Sequence, residues 1–470
     1  MSLTSLTYLI FLFICVVAYY VLPKQARGVL LLAFSVFFYG YVMPNQLLIM
    51  MVYIWIVFFI GQAIGKVSEK VKKIMLTAGV IASVGFLFFY KYLNFTIAIF
   101  GGQDETLSLI VPIGISYITF QCISYMVEVY KGKMEIITDP VAFFVYTLLF
   151  MKVTAGPIEE PKSFFEQLER DDNIEWKDVL EALSLIATGF VKKMVIADVL
   201  APYIATIIDS PADKDGLSIF IGMLMYSLQI YFDFSGYTDI ARGSAKMFGI
   251  SLKENFRHPY LSKSIREFWR RWHISLSDWL KNYIYFTLGG SRVGTLRRYT
   301  NVVIVFLVSG IWHGASINFI IWGVLHGLYQ VAEMLLEPVM IKVRQLLHVR
   351  EDGVLHRVIA TVRTFVLVMI AWVFFRASSL GQAMQIFAGL FSSWKSLGYV
   401  YSHYLPDMKL LILMAVALVF VWIAEIMRES KTKLNVKTFA IAVVAIWMVL
   451  LALVFTSGTD AVNSFIYFDF

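Results

Sequence analysis

The chain has 470 residues, 59% of them hydrophobic and only 16% charged, with a formal net charge of +7. Soluble proteins are roughly 45–50% apolar and about 25% charged, so a disordered chain, a coiled coil and a disulfide scaffold are excluded and a polytopic membrane protein remains. Lys and Arg fall in short gaps between apolar runs rather than along one solvated face, which is the positive-inside pattern of membrane topology and not a nucleic-acid surface.

The first apolar run, Ser5–Leu22, has no basic residue before it, and Lys24 and Arg27 follow it. A cleaved signal has the opposite charge order, so an uncleaved span with its N-terminus outside is expected. Spans are expected next at about 28–43, 46–60, 74–100 and 107–130. The gap Gly61–Lys73 carries Lys66, Lys70, Lys72 and Lys73, which places it in the cytoplasm, whereas Pro44-Asn45 and Gly101–Thr106 carry no cation and read as outer. Val141–Pro157 is too short and too broken by Gly and Pro to cross. It predicts a re-entrant helix, because irregular backbone at membrane depth must be buried in protein or line a cavity.

Further spans are expected at about 179–207, 217–248, 300–312, 316–337, 358–375, 409–427 and 438–456. The fold class is therefore an all-α polytopic integral membrane protein of about 10–12 transmembrane helices plus re-entrant and interfacial helices. It forms one membrane-embedded domain, with N-terminal spans over 1–105 and a core over 106–470. Cys15 and Cys122 both lie inside apolar runs and read as free thiols.

His258–Asn282 differs from the rest. Ile265, Phe268, Trp269, Trp272, Leu276, Trp279 and Leu280 recur at helical spacing, and Lys263, Arg266, Glu267, Arg270 and Arg271 fill the other face. This pattern predicts an amphipathic helix lying at the cytoplasmic interface of the bilayer, anchored by its aromatic residues.

Of seven histidines, His258, His348, His356 and His403 fall in loops, where solvated side chains are the default. His273 lies in the amphipathic segment, and His313 and His326 lie in or between apolar spans. Ionisable groups at membrane depth are costly and mark candidate function, against the plainer alternative of hydrogen bonds between helices. The run "SGIWHGAS" sets His313 beside Trp312 at a helix break, with Gly310 and Gly314 allowing backbone or substrate to approach closely. A neutral imidazole there is a general base that need not first lose a proton.

"YFDFSGYTDIARG" puts Asp233 and Asp239 inside an apolar span. They either line a polar path or serve structure, through an Asp239–Arg242 pair and small-residue packing at Gly236 and Gly243. No P-loop, zinc-protease, dithiol or nucleophile-elbow motif is present, so ATPase and serine-hydrolase chemistry have no support.

"FWRRWHISLSDWLKNYIYFTLGGSR", "SGIWHGASINFIIWGVLHGLY", "YFDFSGYTDIARGSAKMFGISLKENFRHPYL", "TAGPI" and "FIYFDF" together resemble the membrane-bound O-acyltransferase family, in its bacterial alginate- and peptidoglycan-acetylating branch. The resemblance runs from about Val111 to the C-terminus. It implies a catalytic role for His313, a second functional histidine at His273, and a central polar tunnel. From the matching motifs, Asp233, Ser235, Asp239 and Asn255 are expected at that tunnel or its substrates, with Trp272, Trp312, Asn318 and His326.

The resemblance further implies a cytosolic acyl thioester donor, acetyl-CoA, and no permanently bound cofactor or metal. Arg266, Arg270 and Arg271 are expected to hold the donor's phosphates. The acceptor is expected to be an extracytoplasmic polysaccharide or a periplasmic acetyltransferase partner protein. Membrane lipids are the other expected partner and nucleic acid is not, in a multi-pass protein of the bacterial inner membrane. Two alternatives remain: transfer of D-alanine from a carrier protein toward teichoic acid, and a transporter without acyl chemistry, which would predict inverted repeats. "AGPIEE" departs from the family by carrying Glu159 and Glu160 where a basic residue is common.

Overall fold

A computed structural model describes residues 1–100, 107–170, 174–346, 348, 350 and 353–429, and among these the regular structure is entirely helical. The first helix, α1 (Leu6–Val21), starts at Ser5, whose side chain accepts from the Tyr8 N–H. Then come α2 (Arg27–Val42), α3 (Pro44–Lys66), with proline in its first turn, and α4 (Glu69–Lys91). The run expected at 74–100 is interrupted at Tyr92, and α5 (Leu93–Phe100) follows as a separate short helix. Gly114 precedes α6 (Ile115–Tyr130) at φ +71°, and a Cβ there would lie 2.0 Å from the Val153 carbonyl oxygen, so only glycine fits.

The segment expected to be re-entrant is a short helix, α7 (Pro140–Leu148), followed by irregular chain in which every residue from Leu149 to Ile158 is buried in protein. That burial is what non-helical backbone at membrane depth requires. Next are α8 (Pro161–Glu169), α9 (Trp176–Phe190) and α10 (Asp198–Ile204), the last two joined through π-helical turns over Val191–Ala197. The long α11 (Gly216–Lys246) is followed by two short helices, α12 (Ile265–Arg271) and α13 (Ile274–Leu280). The remainder comprises α14 (Thr295–His313), α15 (Ile317–Leu346), α16 (Val354–Arg376), α17 (Leu380–Leu390), α18 (Leu397–Tyr404) and α19 (Met408–Glu429).

Among the described residues, seven helical stretches are long and apolar enough to cross a membrane: Lys24–Val42, α3, α4, α11, α15, α16 and the Met408–Glu425 part of α19, with α1 a shorter apolar helix. The span expected at 438–456 lies outside the described residues. Within the bundle α11 is central, with 72% of its most apolar window buried in protein against 17% for α4. Small residues let α9 reach it: a Cβ on Gly236 would lie 2.8 Å from the Gly189 carbonyl oxygen, and one on Gly243 would lie 2.6 Å from that of Ala182. The small-residue packing expected at these two glycines is what the structure contains.

The glycines around His313 let the chain approach closely, one of the two uses expected of them. A Cβ on Gly310 would lie 2.3 Å from the Phe319 carbonyl oxygen, and one on Gly314 would lie 2.4 Å from the Phe319 ring. What approaches closely at these two positions is α15, packed against α14.

The single interfacial helix expected over 258–282 is also revised. It is broken between α12 and α13, and Phe268, Trp269, Trp272 and Trp279 are buried in protein rather than presented to lipid. Helical spacing identifies an apolar face; it does not say whether lipid or protein covers it.

Candidate functional site

The break between α12 and α13 falls at His273, which adopts a left-handed backbone conformation (φ +44°, ψ +54°). A non-glycine residue rarely does so, and the surroundings must impose it. Here the chain at 255–257 runs alongside 271–275 and pins the turn. The Arg257 N–H donates to the Arg271 carbonyl, the Ile274 N–H to the Asn255 carbonyl, and the Ser275 N–H to the Asn255 side chain, each at 3.0 Å. Asn255 thus satisfies two of the open N–H groups at the start of α13. The result is a His273 side chain with 0% exposure, aimed into the bundle.

His313 is the last residue of α14 and is 3% exposed. Its ring centroid lies 6.5 Å from that of His273. Around the pair stand Trp312 and Trp322, each 4.9 Å from His313, Phe375 at 5.2 Å from it, and Phe234 at 4.8 Å from His273. The two histidines lie 40 positions apart, His273 at the break before α13 and His313 at the end of α14, and the fold brings them into one aromatic cluster. Two imidazoles in an enclosure of low dielectric suit proton transfer to or from a bound hydroxyl and ester carbonyl.

Sequence reasoning passed over Lys91. Its Nζ donates to the carbonyl oxygens of Trp312 (2.9 Å) and His313 (3.0 Å) and to the Ser116 hydroxyl (3.3 Å), so α4 holds the C-terminal end of the helix that carries His313. The signal was present, since Lys91 stands between two tyrosines in an apolar run, where a cation needs a reason.

The other expected residues fall into separate groups. His326 (0% exposed) accepts from the Trp269 indole through Nδ1 at 3.2 Å and packs 5.1 Å from Trp322, one ring removed from His313. Trp272 packs against Trp372 (4.9 Å) and Phe256 (5.0 Å). Asn318 donates to the Ala377 carbonyl (2.7 Å), at the end of α16.

Asp233 pairs with Lys193 (2.7 Å), and Asp239 with Lys192 (2.7 Å) and Arg242 (3.4 Å). The Asp239–Arg242 pair expected from spacing is thus present, but the closer partner comes from another helical segment. Lys192 also contacts Glu425, which reaches His258 at 3.1 Å. His258 therefore lies partly buried against a carboxylate rather than in a solvated loop. "VKKM" inside an apolar run was a signal for these lysines that sequence reasoning did not use.

Ser235, Asp239 and Asn255 share a narrow polar cleft with Lys192, Arg242, Arg257, His258 and Glu425, at the Lys246 end of α11. Arg266 and Arg270 lie on the exposed face of α12, and Arg271 is held by Glu267 at 2.7 Å. Glu159, one of the two acids at the departure from the family motif, is buried and accepts from the Lys253 N–H at 2.8 Å. Among the described residues, no three His, Cys, Asp or Glu side chains are grouped so as to hold a metal ion.

Comparison with known proteins places this arrangement. Residues 5–380 match the sequence model of MBOAT, the membrane-bound O-acyltransferase family. The chain is 36% identical over 384 residues to the probable alginate O-acetylase AlgI of Azotobacter vinelandii, covering 80% of this chain and 74% of that one. It is 33% identical over 425 residues to the peptidoglycan O-acetyltransferase of Helicobacter pylori, covering 82% and 79%. A more partial similarity, 29% over 228 residues and 47% of this chain, is to the teichoic acid D-alanyltransferase of Bacillus subtilis. With most of its length matched by the family, and with apolar helices to span a bilayer, this chain belongs to the membrane-bound O-acyltransferase family and is a multi-pass membrane acyltransferase.

Proposed function

We propose that the protein moves an acetyl group from cytosolic acetyl-CoA, through a polar tunnel in the bacterial inner membrane, to a hydroxyl on an extracytoplasmic polysaccharide or on a periplasmic partner that relays it. The observation that carries this reading is the burial of His313 and His273 in one aromatic cluster, 6.5 Å apart, in a chain extensively similar to an alginate O-acetylase and a peptidoglycan O-acetyltransferase. His313 takes the proton of the acceptor hydroxyl as its oxygen attacks the thioester carbonyl, and returns it to the departing sulfur. His273 orients the reacting groups from the opposite wall. Arg266, Arg270 and Arg271 meet the phosphates of the donor at the cytoplasmic mouth, together with the cations of the Lys192–Arg257 cleft.

D-alanyl transfer has weaker support, because the similarity to the teichoic acid enzyme covers less than half of the chain. A transporter reading leaves the paired histidines without a task. The test is release of free CoA from labelled acetyl-CoA by the purified protein. Wild type should turn over, and His313→Ala, retained as a folded species in detergent, should lose at least about 10²-fold, the usual worth of a general base. Near-wild-type turnover by that variant would remove His313 from the mechanism.

A further inference from the structure

Two buried hydrogen-bond donors stand beside the histidine pair with no acceptor among the described residues: the indole Nε1 of Trp312 and the hydroxyl of Tyr117. Their rings are 5.1 Å apart at 74°. Trp312 lies 4.9 Å from His313 and 6.0 Å from His273, and Tyr117 lies 6.4 Å from His273. The two rings that carry these donors therefore form one cluster with the two imidazoles.

Three other core tryptophans are satisfied. Trp279 donates to the Ser124 hydroxyl at 2.8 Å, Trp269 to His326 at 3.2 Å, and Trp372 to the Tyr260 hydroxyl at 3.2 Å. An indole N–H has only a proton to give, so it can be satisfied by nothing but an acceptor. Buried donors without one are rare, and each calls for a reason. Trp322, on the other flank of His313, also has an unpartnered indole; its ring neighbours besides His313 are Phe375 beside that histidine and Trp269, His326 and Trp372 of the neighbouring cluster.

Trp312 is also held in place. Its carbonyl receives Lys91 and the Tyr92 hydroxyl, and its indole stacks at 5.4 Å on Phe120, which stacks on Trp279 at 3.6 Å and 3°. A fixed donor aimed at a site where charge develops costs no reorganisation when the charge appears.

We propose that the Tyr117 hydroxyl and the Trp312 indole N–H are the oxyanion donors of acyl transfer, receiving the thioester carbonyl oxygen as it becomes negative. This rests on the acetyl-transfer reading above. As the acceptor oxygen bonds to the carbonyl carbon, its proton passes to His313 and the carbonyl π pair moves onto the oxygen held by the two donors. The pair then reforms the carbonyl, the C–S bond breaks, and the sulfur leaves with the proton from His313. Ester and free thiol are the products, with no other reactant needed.

The test compares purified wild type with two nearly isosteric variants: Tyr117→Phe, and Trp312→benzothienylalanine, which puts sulfur in place of the N–H. Each should elute as wild type does on size exclusion. For CoA release from acetyl-CoA, kcat should fall by about 10²-fold in each variant while KM holds, the pattern of a donor used only in the transition state. A kcat within about threefold of wild type in both variants, or a change confined to KM, would overturn the assignment. If His313→Ala is inactive in the same assay, the acetyl-transfer reading survives that result. Wild type inert toward acetyl-CoA would remove both.

Discussion

The Nζ of Lys91 lies 3.0 Å from the carbonyl oxygen of His313, so a side chain from the N-terminal spans closes the helix that presents the buried imidazole. The last carbonyls of a helix have no partner within it, and at the end of α14 the partner comes from α4. Position and orientation of the His313 ring thus depend on a residue 222 positions earlier.

Replacing Lys91 tests that dependence. Lys91→Met should lower stability by about 1–3 kcal/mol, the cost of leaving buried carbonyl acceptors unsatisfied, and should lower kcat because the end of α14 is released. Lys91→Arg should recover part of both. Thermal unfolding in detergent and CoA release report the two effects, and a Lys91→Met protein equal to wild type in both would show the contact to be incidental.

Asn255 should act on His273 through the backbone. Asn255→Ala removes the acceptor for the Ser275 N–H, with an expected loss of about 0.5–2 kcal/mol as for other helix caps. Activity should fall further than stability explains, because the left-handed turn at His273 loosens. Asn255→Asp keeps the acceptor oxygen and should retain most of the activity. Equal turnover in Asn255→Ala and wild type, measured well below the unfolding temperature, would separate the cap from catalysis.

The buried charges near Asp239 should be costly to break singly. Lys192→Met leaves Asp239 and Glu425 without their closest cation and should cost about 3–5 kcal/mol. Adding Asp239→Leu should return part of that loss, since fewer unpaired charges then remain buried. Unfolding midpoints of the single and double variants decide it; a double variant weaker by the sum of both changes would mean the two side chains act independently.

The exposed arginines of α12 test the donor end of the reaction. The double variant Arg266→Gln, Arg270→Gln should raise the KM for acetyl-CoA by about tenfold for each 1.4 kcal/mol of binding lost, with kcat little changed. A short acetyl thioester lacking the nucleotide should be used equally by variant and wild type. If the arginines meet only anionic lipid headgroups, KM for acetyl-CoA will stay constant and only lipid preference will change.

Much of this protein is legible in its sequence because the bilayer imposes simple rules on composition. Long apolar runs with sparse charge predict membrane helices, and Gly236 and Gly243, two turns apart, offer a face that another helix can approach. His313 stood out as an ionisable group between apolar spans, and the motif around it pointed to acyl transfer. Periodicity reports neighbours on one helix, as in the Asp239–Arg242 pair.

Periodicity carries no information about partners that meet only when helices pack. The closest cation to Asp239 is 47 positions away, Asp233 meets Lys193 at a separation of 40, and the apolar face of α12 is covered by α15 and α16 rather than by lipid. The break at His273 has the same origin: local spacing favours one continuous helix, and hydrogen bonds from Asn255 and Arg257 override it. The sequence by itself determined that this chain lives in a membrane and which histidine to suspect. Only the tertiary structure set a second histidine 6.5 Å from it, because that distance depends on a backbone conformation no local preference selects and on contacts from segments far along the chain.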